Sequence, residues 1–116
     1  GDEVLSLVAV EIKKSTRNVD FVCRYGGEEF CVILVETGME KALLTAERIR
    51  QNIENLETAF QDQTIKITIS IGAVEFPNSS KDYEKLIIEA DTALYQAKAK
   101  GRNRVVAYSE ETESVL

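Results

Sequence analysis

The chain has 116 residues, 14 of them basic and 20 acidic, with a net charge of −6 and 44% apolar side chains. That balance is too apolar for a disordered tail and too acidic for a generic partner of DNA, RNA or anionic lipid. No apolar run reaches the roughly 18 residues that cross a bilayer, and no basic stretch followed by an apolar one marks a signal peptide. Histidine and tryptophan are absent, which removes histidine general-base chemistry, Ser-His-Asp hydrolysis and most zinc sites.

In chain order, Val4, Leu5, Val8 and Ile12 fall at helical spacing, with Asp2 and Glu3 in a first turn, so a helix is predicted to about Thr16. Val19 to Arg24 and Phe30 to Val35 are two extended runs joined through Gly26-Gly27, which is a hairpin signal. The second run is apolar on both faces and is expected to be covered on both. Met39, Ala42, Leu43, Ala46, Ile49, Ile53 and Leu56 mark a helix from Gly38 to about Glu57, followed by a loop at Gln61-Asp62-Gln63. Ile65, Ile67, Ile69 and Ile71 alternate with Lys66, Thr68 and Ser70 as one strand with a wet face, ended by Pro77. Asn78-Ser79-Ser80 caps a second long helix running through Tyr83, Leu86, Ile87, Ala90, Ala93, Leu94 and Ala97, which Lys98, Lys100 and Gly101 close. Arg104 to Tyr108 is a last short strand. The fold class expected is α/β, or α+β-like, with a mixed sheet, a β-hairpin and helices on both faces. Residues 1–109 form one domain, and 110–116 an acidic disordered tail.

Four features could carry chemistry. Cys23 and Cys31 flank the glycine turn and would face each other across a hairpin. Nothing suggests an oxidising compartment, so thiols are favoured over a disulfide. Glu28 and Glu29 at the turn make a hard, oxygen-rich pair of the kind magnesium prefers, or a solvated acidic turn. Lys98, Lys100, Arg102 and Arg104 around Gly101 form a phosphate clamp, or a helix end matched to its dipole. Arg17 and Asp20, three apart, pair with each other, or hold a phosphate or a guanine edge.

Taken together and in order, these segments carry a resemblance. Arg24-Tyr25-Gly26-Gly27-Glu28-Glu29-Phe30 resembles the signature of the GGDEF family, the diguanylate cyclases, in its GGEEF form. Gly1-Asp2-Glu3-Val4-Leu5 is similar to the family's G-D-x-x-L segment, and Thr68-Ile69-Ser70-Ile71-Gly72 to its T-x-S-x-G strand. Ala90-Asp91-Thr92-Ala93-Leu94-Tyr95-Gln96-Ala97-Lys98, followed by Gly101-Arg102-Asn103-Arg104, is similar to its A-D-x-A-L-Y-x-A-K…G-R-N-R ending.

The resemblance implies a palm-like nucleotide cyclase architecture in which two GTP molecules condense to cyclic di-GMP with magnesium or manganese, each bound by one domain of a homodimer. Glu28 matches the metal-binding acid that helps deprotonate the 3′-hydroxyl, and Glu29 its neighbour in the metal site. Gly26 and Gly27 match the turn under the GTP. Asp2 matches the guanine-recognising carboxylate, with Leu5 beside the base. Lys98 and Arg102 match the residues on the β- and γ-phosphates. Arg17 and Asp20 match the R-x-x-D inhibitory site for the product, and Arg48 an arginine that completes it from a neighbouring domain. Linked sensor or regulatory domains are implied outside this chain, in the cytoplasm or on the cytoplasmic side of a membrane-anchored bacterial protein. Neither nucleic acid nor the membrane is implied as a direct partner. The alternative, from another class, is a non-catalytic receptor of cyclic di-GMP or GTP that regulates an attached domain.

The family's domain starts a strand and a helix earlier, with an F-D-x-F-K-x-x-N-D-like motif that supplies another metal-binding aspartate and a guanine-binding asparagine. Gly1 follows that motif, so the chain is expected to be the C-terminal portion of the domain. By itself it is expected to bind GTP weakly, to make no cyclic di-GMP, and to offer open sheet edges to another chain.

Overall fold

The computed structural model describes residues 2–26, 29–60, 63–75 and 83–108, with backbone alone at Asp2, 23–26, Glu29, 57–60, 63–65 and Tyr83. It divides into two units, Gly1–Thr37 and Gly38–Leu116.

In the first unit α1 (Asp2–Lys14) carries Lys13 and Lys14 in its last turn, where cations complement the helix dipole. Val8 and Ile12, four apart on one face, are buried, while Val10 is exposed. The helix stops where the Ser15 and Thr16 hydroxyls donate to the carbonyls of Glu11 and Lys13. A turn closed by Asp20 N–H to the Arg17 carbonyl leads into β1 (Phe21–Gly26). β1 pairs antiparallel with β2 (Glu29–Ile33), placing Val22 opposite Val32 and Cys23 opposite Cys31. This is the hairpin the glycine turn predicts, and Cys31 is a thiol. Gly26 faces Glu29 and so closes a two-residue connection, and the register shifts between Arg24 and Gly26. The ladder is thus irregular just before its tip. The expectation that the Phe30–Val35 run is covered on both faces does not hold at Ile33. It and its cross-strand partner Phe21 are 53% and 63% exposed. The described residues of the unit set one helix beside a two-stranded sheet.

In the second unit α2 (Met39–Glu54) buries Ala46, Ile49 and Ile53 along one stripe. Gly38 at its N-cap has no side chain to offer, and Glu75 substitutes by accepting from the Met39 N–H at 3.0 Å. The helix ends at Glu54 with Asn55 as C-cap, three residues short of the expected Glu57. Glu57–Phe60 is instead β3, antiparallel to β4 (Gln63–Lys66), so Gln63 lies in a strand rather than in the expected loop. The isoleucine alternation also splits. β4 ends at Lys66, and β5 (Ile71–Ala73) pairs parallel with β6 (Val105–Ala107). Alternation specifies faces, but a ladder needs a neighbour, and β4 and β5 take different ones.

Between β5 and β6 runs α3 (Tyr83–Ala99), with Ala93 and Ala97 fully buried. It ends in a Schellman motif: Gly101 N–H bonds to the Lys98 carbonyl and Arg102 N–H to that of Ala97, with Gly101 at φ 120°. The described ladders thus form three two-stranded sheets, two antiparallel and one parallel, in an α+β arrangement. Pro77, the Asn78-Ser79-Ser80 cap and the acidic tail from Glu110 lie outside the described residues.

Candidate functional site

The first unit carries three of the sequence-predicted groups. Gly26 and Glu29 face each other at the hairpin tip, while Gly27 and Glu28 lie outside the described residues. Asp2 is the first residue of α1, and Leu5 is half-buried one turn on. Arg17 and Asp20 are directly joined. The Asp20 carboxylate is buried and accepts four N–H bonds: from the Arg17 backbone (2.8 Å), Nε (3.2 Å) and Nη2 (2.8 Å), and from the Val35 backbone (3.1 Å). Arg17 Nη2 also donates to the Val35 carbonyl and to Thr37 Oγ1. The Arg17 side-chain bonds, opposed by burial and joined by the two backbone N–H groups, pull the Asp20 pKa down to about 2. The same pairing with Asp20 raises that of Arg17. The pair therefore clamps the turn between α1 and β1 onto the end of β2.

The second unit carries the cations. Lys98 lies in the last turn of α3 and Arg102 just past its Schellman end, both exposed. Arg48 sits on α2. Sequence reasoning passed over what stands behind Arg102. Arg50 is held by both oxygens of Glu47, at 2.8 and 2.7 Å, and reaches Glu54 at 3.4 Å. Its Nη1 donates to Asn103 Oδ1 at 2.8 Å, Asn103 Nδ2 donates to Glu54, and the Asn103 N–H donates to Ser70 Oγ. The Glu47 bonds raise the pKa of Arg50. Arg50 in turn lowers that of Glu47, and Asn103 that of Glu54. The available signal was Glu47, Arg50 and Glu54 at helical spacing on one face of α2.

Among the described residues no group of three or more carboxylates or thiols could hold a metal ion; of the acidic pair the sequence singles out, Glu29 opens β2 and Glu28 lies outside the described residues. Their hard oxygens fit magnesium by chemistry, with phosphate oxygens to complete its shell. Among the described residues no helix is long and apolar enough to cross a membrane.

The model of the family described as "Diguanylate cyclase, GGDEF domain" matches residues 1–104. The chain belongs to the GGDEF family. It is 46% identical over 106 residues to Diguanylate cyclase DosC of Escherichia coli K12, covering 90% of this chain and 23% of that one. It spans about a quarter of the length of the curated relatives it matches. Among solved GGDEF structures, the active GGEEF domain of a diguanylate cyclase from Vibrio cholerae superposes with a TM-score of 0.84 at 34% identity, covering 93% of this chain and 68% of that one. The GGDEF domain of DgcB from Caulobacter crescentus, in complex with c-di-GMP, gives 0.85 at 32% identity, covering 91% and 63%. The palm-like cyclase architecture expected of a GGDEF domain is therefore the fold of this chain.

Proposed function

We propose that the domain these residues build is a diguanylate cyclase, working as half of a homodimer on GTP and inhibited by its product. The observation that carries the reading is the hairpin whose last pair is Gly26 with Glu29, after a shift of register, in a chain of this family. Glu29 opens β2 there, and Glu28 precedes it in the sequence.

Magnesium bound there would neutralise phosphate charge and make the 3′-hydroxyl more acidic. Glu28 receives the proton of that hydroxyl. The 3′-oxygen of one GTP then bonds to the α-phosphorus of the other, the bond to the β-phosphate breaks, and pyrophosphate leaves. The same step in the opposite sense closes the ring, so each GTP is both nucleophile and electrophile and two domains must meet. Gly26 and Gly27 present backbone with no side chain between it and the nucleotide. Asp2 accepts from N1 and N2 of guanine, which adenine does not offer, and Leu5 lies beside the base. Lys98 and Arg102 take the β- and γ-phosphates. Arg17 and Asp20 bind product, completed by Arg48 of a neighbouring domain. The remainder of the protein would hold the sensor, with this domain in the cytoplasm.

The test uses the full-length protein with GTP and magnesium, read by chromatography of cyclic di-GMP and pyrophosphate. Both should appear, and ATP should not replace GTP. Binding of cyclic di-GMP without its synthesis would make the protein a receptor. Binding of no nucleotide at all would leave a structural dimerisation module. The 116 residues alone, assayed in parallel, should bind GTP weakly and turn none over.

A further inference from the structure

We infer that Asn103, gripped by Arg50 and Glu54, is a positioning residue that fixes the spacing between Lys98 and Arg102 for a nucleotide's outer phosphates. The inference rests on the proposed role of those two cations. Three consecutive residues after α3 are left-handed: Gly101 at φ 120°, Arg102 at 64° and Asn103 at 48°. Gly101 alone is enough to end the helix. Arg102 and Asn103 carry Cβ atoms, and residues so placed persist only where their surroundings over-determine them.

The surroundings here do so. The Asn103 side chain gives its carbonyl to Arg50 and its amide to Glu54, and its backbone N–H goes to Ser70. Arg50 is only 13% exposed and is fixed by Glu47 and Glu54 before it reaches Asn103. Its charge is matched twice over, so it does not compete with Lys98 and Arg102 for an anion. Without this grip the backbone after Gly101 is free to relax to negative φ, which re-aims Arg102 and leaves Lys98 where α3 put it.

The experiment measures binding by the full-length protein of two probes: GMP, and GTP with a methylene bridge between its α- and β-phosphorus atoms, which prevents turnover. Asn103→Gly keeps the left-handed backbone accessible while removing the grip. It should lower affinity for the triphosphate about 10-fold, the scale of one or two lost hydrogen bonds, and leave GMP unchanged. Amide exchange should speed up at 102–104 and stay slow within α3. Asn103→Asp, which keeps the bond from Arg50 but opposes Glu54, should fall between. Lys98→Ala and Arg102→Ala report on the underlying reading. If neither lowers the triphosphate preference, the phosphate role fails and the inference with it. If both lower it while Asn103→Gly leaves it intact, or weakens both probes equally, the inference alone is overturned.

Discussion

A Cβ on Gly72 would lie 2.3 Å from the backbone nitrogen of Leu94 and 2.5 Å from the carbonyl oxygen of Ala90. β5 and α3 meet there backbone to backbone, with Ala93 and Ala97 buried along the same helix. No flexible side-chain tip is available to yield. Gly72→Ala therefore has to lift α3, at a cost on the order of 1–3 kcal/mol from overpacking. Thermal melts should show the loss, and an unchanged midpoint would mean the helix has room to move.

Acid should expose the Asp20 clamp. Its carboxyl titrates near 3.8 when unfolded and about 2 when folded. The lowered folded value means the stabilisation is complete above the unfolded pKa and disappears as pH falls through the folded one. Denaturant melts from about pH 5 to about pH 2 should thus lose stability between 3.8 and about 2, and Asp20→Asn should have the shallower slope. Glu47 and Glu54 are also lowered and add to the slope in both proteins. Equal slopes for the two would remove Asp20 from the account.

Arg17 already bonds Asp20, the Val35 carbonyl and Thr37, so in the proposed role it would be shared between product and the turn. Arg17→Ala in the full-length protein should weaken inhibition by cyclic di-GMP roughly 10- to 100-fold, since a charge-assisted hydrogen bond is worth about 1.5–3 kcal/mol. An unchanged inhibition constant would reduce the pair to a clamp on the turn.

Glu28→Gln keeps the size of the side chain and removes its charge. Synthesis of cyclic di-GMP should fall at least about 100-fold, the scale of losing a general base. Binding of cyclic di-GMP at Arg17 should persist. Retained turnover would take the proton-accepting role away from Glu28.

What the sequence disclosed followed from local physics. Gly26-Gly27 between two β-rich runs announced the hairpin, down to Cys23 opposite Cys31. Gly101 after Lys98 announced the end of α3. Arg17 and Asp20, three apart, paired as their charges suggest. What stayed hidden depends on distant partners. The isoleucine alternation could not say that 63–66 and 71–73 would take different neighbours. Nor could it show that Glu57, expected to end the helix, would open a strand instead. The grip on Asn103 joins residues 53 and 49 positions apart, beyond any spacing rule.

Met39 and Glu75 are 36 positions apart, yet the first N–H of α2 rests on that carboxylate. During synthesis the helix emerges well before the residue that caps it. Its N-terminal turn must then wait, solvated and fraying, for the chain beyond β5 to leave the ribosome and fold back. α2 is thus finished at its beginning only after the 36 positions to Glu75 have been made, and a pause in translation before Glu75 would prolong that unfinished state.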